Sequence, residues 1–286
     1  MLPTRRFTAL FLVGLPISLA TMGCGGDGGT GRAEIETWGE AFIEAGIPAE
    51  AFEDGWAVSF ERFVVVLSDV TVADANGEGA SLAEARAFDL VTPGPHGVGA
   101  LDDLPSGNLT AVGYRTPVAT DGTTAHESAA TGDVEAMREA GFSIWASGVA
   151  ARDQITKRFS WGFAADRRYD RCVDVGGGQE IDGVVVPNGG SVDLQLTIHG
   201  DHLFFDDLVS PEAGLRFAHM ADADVDGDGE VTLAELDAVE LSTIPPAEGS
   251  YEAGAADVNT LGDFVRASVG SLGHFNGEGH CAASGG

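Results

Sequence analysis

Lysine is almost missing from this chain. Lys157 stands alone against fourteen arginines, and together they face 45 aspartates and glutamates, for a formal charge of −30 at pH 7. Such a surface repels nucleic acid and anionic lipid headgroups, so nucleic acid is excluded as a partner. The Arg-for-Lys skew reads as a genomic composition bias, compatible with a saline habitat, and not as a binding signal. Cysteine is scarce too, at positions 24, 172 and 281. After the first twenty residues no apolar run is long enough for a membrane helix. Catalytic fingerprints are also lacking: there is no G-x-S-x-G elbow, P-loop, dinucleotide fingerprint or H-E-x-x-H. The acid pairs Asp102-Asp103 and Asp206-Asp207 read as solvated loop charges. A glycosidase would need convergent carboxylates, which pairs adjacent in sequence do not supply. These absences point to a binding or structural module and not to an enzyme.

What is present begins with an address. Arg5 and Arg6 form a charged region, residues 7–20 an apolar one interrupted by Pro16, and Gly23-Cys24 a processing point. Thr21-Met22-Gly23-Cys24 resembles a lipoprotein signal box, departing from it at Thr21 and Met22. The resemblance implies that residues 1–23 are a signal peptide and that Cys24 is acylated. Arg5-Arg6 alone is a weak twin-arginine export signal. Gly25 after the cysteine implies an outer-membrane lipoprotein of the cell envelope, held at a membrane by lipid alone; cleavage after Ala20 would instead give a secreted or periplasmic soluble protein. Removing residues 1–23 deletes two arginines and no acids, moving the charge from −30 to −32. Residues 24–34 read as a flexible Gly-rich leader. With Cys24 lipidated, Cys172 and Cys281 remain as an even pair in an oxidising compartment, where a disulfide is expected.

The body, residues 35–209, is expected to be mainly β, an antiparallel β-sandwich. A short helix is placed first, opened by the capping-box spacing of Thr37 and Glu40, with Trp38, Ala41, Phe42 and Ala45 on one face. Residues 56–72 read as a strand whose run 63–67 is covered on both faces. Short strands follow at 88–90 and 109–118, then a helix at 133–140 closed by Gly141, and a hairpin of 142–149 with 154–163. Alternation is clearest in residues 191–199, where Val192, Leu194, Leu196 and Ile198 face one way and Asp193, Gln195, Thr197 and His199 the other. Residues 210–286 are expected to be an EF-hand-containing helical segment and tail, starting with Ser210-Pro211-Glu212 as a helix start.

Residues 224–235 resemble the twelve-residue loop of the EF-hand family. Ca²⁺ needs six to eight oxygens, and the loop supplies them in chain order. The resemblance assigns carboxylates at positions 1, 3 and 5 to Asp224, Asp226 and Asp228, and the tight turn to Gly229. It gives a backbone carbonyl to Glu230, a direct or water-mediated contact to Thr232, and a bidentate carboxylate to Glu235. Val231 matches the apolar position whose backbone pairs with a second loop. Thr232 and Glu235 have capping-box spacing, so the exiting helix is expected from Leu233 with or without metal. The departure from the family is solitude, since residues 257–262 carry Leu261 where an oxygen is needed. A lone hand must pack on the β body or on another chain. This favours a static calcium site with Kd on the order of 10⁻⁴–10⁻³ M over buffering or sensing.

Histidines form a second constellation. His199 and His202 flank Gly200-Asp201 at the end of the best strand, and His274 and His280 lie near the C-terminus. If Cys281 joins Cys172, the C-terminal loop is stapled to the body, and these imidazoles with Asp201 would suit Zn²⁺ or Cu²⁺. They also read as polar loop histidines. A β body, Cys172 after an aromatic strand and a Gly/His/Cys-rich end resemble the periplasmic copper-binding proteins that accompany dihaem enzymes, which carry four cysteines where this body has two. The function expected is that of a calcium-binding envelope lipoprotein with Ca²⁺ as a stabilising ion, partnered by an envelope protein or a glycan. The rival expectations are a periplasmic Cu/Zn binder and a calcium-dependent carbohydrate-binding or hydrolytic protein.

Overall fold

The computed structural model describes residues 28–176, 179–210, 212–245 and 249–285. The signal peptide and Cys24 lie outside them. Among the described residues the first eight strands are Thr30–Trp38 (β1), Ala57–Ala73 (β2), Gly79–Leu82 (β3), Arg86–Asp89 (β4), His96–Pro105 (β5), Gly107–Leu109 (β6), Ala111–Thr116 (β7) and Thr124–Ala125 (β8). Then come Ile144–Arg152 (β9), Ile155–Phe163 (β10), Arg167–Asp174 (β11), Ile181–Asp182 (β12), Val184–Val186 (β13) and Ser191–Ile198 (β14). The last three are Glu230–Val231 (β15), Gly273–Phe275 (β16) and Gly279–Gly285 (β17). The α-helices are short: Glu40–Glu44 (α1), Thr131–Ala140 (α2), Ala218–Asp222 (α3), Leu233–Leu236 (α4) and Leu261–Ser268 (α5).

The chain is mainly β, as its alternating patterns imply. The strands join into one fifteen-stranded sheet, with β6 and β13 pairing separately, and do not separate into two antiparallel sheets. Three ladders are parallel: β1 with β14, β4 with β8 and β10 with β15. Parallel pairs need long crossovers, which local alternation does not encode. The spine is β2. Its first half pairs with β9 and its last residues with β7. At the middle of β2, Val64, Val65 and Val66 are wholly buried, as a run covered on both faces should be.

Two N-terminal expectations fail together. Ala33, Ile35 and Thr37 are buried in alternation along β1, so the strand starts inside the expected leader and runs through the expected helix start. Glu40 has φ 57°, a left-handed conformation that separates β1 from α1, so Thr37 caps nothing. The period-two pattern from Ala33 to Thr37 outweighs the capping-box spacing, because the strand buries a whole face whereas a cap satisfies one or two amides.

The middle follows expectation. Gly141 closes α2 in the left-handed conformation, and β9 and β10 form a hairpin in continuous register. Phe159 and Trp161 of β10 face an aromatic core with Phe60, Phe204 and Phe217.

The C-terminal region is less helical than expected. Ser210 starts no helix; its Oγ accepts from Glu212 N in a turn, and the chain becomes helical again only at α3. The last residues are no tail. β17 and β16 lie side by side in the sheet between β11 and β14. The Cys172–Cys281 disulfide is formed and joins β11 to β17. No helix of the described residues is long and apolar enough to cross a membrane.

Candidate metal centres

The first centre lies where β14 ends beside β16. β14 carries His199 just beyond its last residue, a 3₁₀ turn over Gly200–Phe204 carries His202, and β16 carries His274. The antiparallel register pairs Thr197 with His274, which sets the three imidazoles together. Ring centroids of His199 and His274 are 4.0 Å apart, and His202 lies 5.3 and 5.1 Å from them. One nitrogen from each ring lies within 4.8 Å of the others. Thr197 and His199, on the polar parity of the strand, are nonetheless buried. The turn after β16 covers that face: Gly277 N donates to Thr197 Oγ1 and His199 Nε2 to Gly277 O.

The surroundings set the protonation of His202 and His274. Ser271 Oγ donates its hydrogen to Ser268 O, so His202 Nδ1 must be the donor in its 3.0 Å bond to Ser271 Oγ. His202 Nε2 therefore keeps its lone pair. His274 Nδ1 is buried with no hydrogen-bond partner among the described residues. Burial, followed by the neighbouring imidazoles, lowers His202 to about 3 and His274 to about 4. At neutral pH these two are uncharged bases. Burial also raises the carboxyls of Glu40 and Asp201, with Glu278 adding like charge and His199 opposing. Glu40, His199 and Glu278 form an adjoining group, with Glu40 Oε1 3.5 Å from His199 Nε2. The cleft over these rings has a volume of about 530 Å³, and Phe42, Phe205 and Leu208 form its apolar side.

Sequence reasoning placed His280 in this set, and the structure does not. His280 pairs with His274 in register but is exposed, beside Arg171 and Asp182 in a separate cleft. Glu40 and Glu278 were missed. Their approach depends on how α1 and the β16–β17 turn pack, and no local spacing marks it.

The second centre is the acidic loop. Carboxylate oxygens of Asp224, Asp226 and Asp228 lie within 4.8 Å of one another. Asp224 accepts from Gly227 N and Gly229 N, Asp226 from Asp228 N, and Asp228 from Glu230 N. Glu235 is not in this group. Its Oε2 takes Thr232 N and Thr232 Oγ1, and Thr232 Oγ1 takes Glu235 N, a complete capping box that starts α4 at Leu233 as expected. Glu230 and Val231 form β15, and the partner of this strand is β10, where a paired hand would offer its second loop. Arg158 N donates to Gly229 O at 2.8 Å and Trp161 Nε1 to Val231 O at 2.8 Å. The loop is thus docked on the β body, one of the two arrangements its solitude allowed.

Lys157 was set aside as composition and turns out to be placed. Its Nζ donates to Asp224 Oδ2 at 2.5 Å, its side chain is 17% exposed, and that of Asp224 is fully enclosed. This contact, with the two loop amides, lowers the Asp224 pKa. No family model, curated protein or solved structure matches this chain.

Proposed function

We propose that the protein is a metal-binding protein of the cell envelope whose principal site takes one Zn²⁺ or copper ion on His199, His202 and His274. One observation carries this reading: three imidazoles converge within 4.8 Å, and one presents a buried nitrogen with no hydrogen-bond partner among the described residues. Buried polar atoms are nearly always paired, and a metal ion would pair this one. Imidazole suits both zinc and copper, and three ligands facing a cleft leave a coordination position open to water or a second molecule. The test is elemental analysis and competitive zinc titration of untagged protein. The wild type is expected to hold one more tight equivalent than His202→Ala/His274→Ala. Equal metal content in the two proteins would refute the site.

Calcium is the second reading. Three carboxylates converge in a loop with EF-hand spacing, and β10 supplies the backbone partner that a second hand would supply. Glu235 would have to leave its capping box to reach the ion, which fits weak binding in the extracellular range. Cys24 is proposed as the lipid anchor, outside the described residues. Acyl chains contribute roughly 0.8 kcal/mol per buried CH₂, so two or three hold a strongly acidic protein at a membrane. Cys24→Ser is expected to leave the membrane fraction or to accumulate as precursor.

A further inference from the structure

Lys157 is the one lysine in a chain with fourteen arginines, and its ammonium rests on the first carboxylate of the acidic loop. Nothing in composition asks for lysine here, since every other cationic position is arginine. The choice has a physical consequence. An ammonium is a compact point charge that sits among carboxylate oxygens as a small cation does, whereas a guanidinium is a wide planar fork. β10 positions it: Arg158 and Phe159 are paired with Glu230 and Val231, so the residue before them lies against residues 224–229. Two loop amides already converge on Asp224, and Lys157 adds the remaining charge to an enclosed carboxylate.

We propose that Lys157 is a tethered cation that holds the loop closed without a metal ion and that Ca²⁺ displaces from Asp224 when it binds. This deepens the calcium reading and rests on it. The ammonium stabilises the ion-free loop and repels the incoming ion, so it weakens calcium binding while keeping the loop formed. Lys157 is a positioning residue that acts through Asp224 and is not itself a ligand.

The sign of one substitution separates this role from simple structural support. Lys157→Met keeps the aliphatic stem and removes the charge. It is expected to bind Ca²⁺ on the order of tenfold more tightly, as loss of a like charge at close range implies. A residue that merely braced the loop would give weaker binding on removal. Lys157→Arg keeps the repelling charge on a wider planar head and is expected to bind calcium no more tightly than the wild type. The unmutated protein supplies an independent readout. Labelling lysine with ¹³C and ¹⁵N lights up a single side chain, and its resonance is expected to move as calcium saturates. Calorimetric calcium binding with a stationary lysine signal, or equal or weaker binding by Lys157→Met, would overturn the proposal. Absence of calcium binding in all three proteins would overturn the calcium reading beneath it.

Discussion

The histidine cleft and the acidic loop are both candidate cation sites, yet they are built in opposite ways. The loop takes its carboxylates from residues 224–228, so turn geometry within one short segment brings them together. The cleft takes His199 and His202 from the end of β14 and His274 from β16, with Glu40 arriving from the start of α1. The loop's donors are hard oxygens and two of its three acids are exposed. The cleft's donors are nitrogens, and burial holds those of His202 and His274 neutral. A site of contiguous residues survives small changes in the fold. A site of remote residues exists only while the strands that carry it stay in register.

The largest test of that contrast is the disulfide. It ties β17 to β11, and β17 pairs with the strand that bears His274. Replacing Cys172 and Cys281 with Ser removes a cross-link spanning 109 residues, a loss of about 4–5 kcal/mol on the chain-entropy model. Urea unfolding measures that loss. Zinc affinity should fall in the same variant while calcium stabilisation of the loop persists. An unchanged zinc affinity would show that the cleft does not depend on the β17 anchor.

Next in size is the pair His202→Ala/His274→Ala. Loss of two ligands should weaken zinc binding on the order of 100-fold or more, about 2.7 kcal/mol. Chelator competition reads this directly. The calcium response should be untouched, and a parallel loss of both would mean that the two sites are one cooperative unit.

Calcium should have a smaller effect. At ten times Kd it adds about 1.4 kcal/mol and raises the melting temperature by a few degrees. Asp224→Ala should melt at the same temperature with calcium or with EDTA. If EDTA leaves the wild-type curve unmoved as well, calcium does not bind the loop.

A further test is the pH dependence of stability. His202 and His274 have folded pKa values near 3 and 4, below the ordinary histidine value near 6.5. Between those values the unfolded chain binds more protons, so metal-free stability should decline as pH falls from about 6.5 toward 4. Glu40 and Asp201 act with the opposite sign, since their raised values let the folded protein take up protons more readily. The net slope should flatten in His202→Ala/His274→Ala and steepen in Glu40→Gln. Bound zinc should also persist to about pH 5, because imidazoles this weakly basic compete poorly for protons. Release above pH 6 would contradict the burial of these rings.

Much of the fold follows from local pattern. The both-sides-buried run at 63–67, the β9–β10 hairpin and the Gly141 stop of α2 need only side-chain period and the freedom of glycine to adopt positive φ. The acidic loop was legible for the same reason, as was the capping box of Thr232 and Glu235. Errors arose where two local rules competed. At Thr37 a capping spacing met strand alternation, and burial of a strand face decided the matter. At Ser210 a helix start had no apolar stripe to follow it, and a turn formed instead.

By itself the sequence determined that the chain is β-rich and strongly acidic, that two body cysteines were free to pair, and that three aspartates alternate along one short glycine-containing loop. These depend on composition, parity and spacing, which are properties of neighbours along the chain. Only the tertiary structure decided which histidines meet, that His280 stands apart, and that Glu40 and Glu278 adjoin His199. It alone placed Lys157 on Asp224 and β15 on β10. Each of these depends on strand register and crossover between remote segments. Register is settled by which faces bury together across the whole sheet, a sum over distant contacts that no short window of sequence contains.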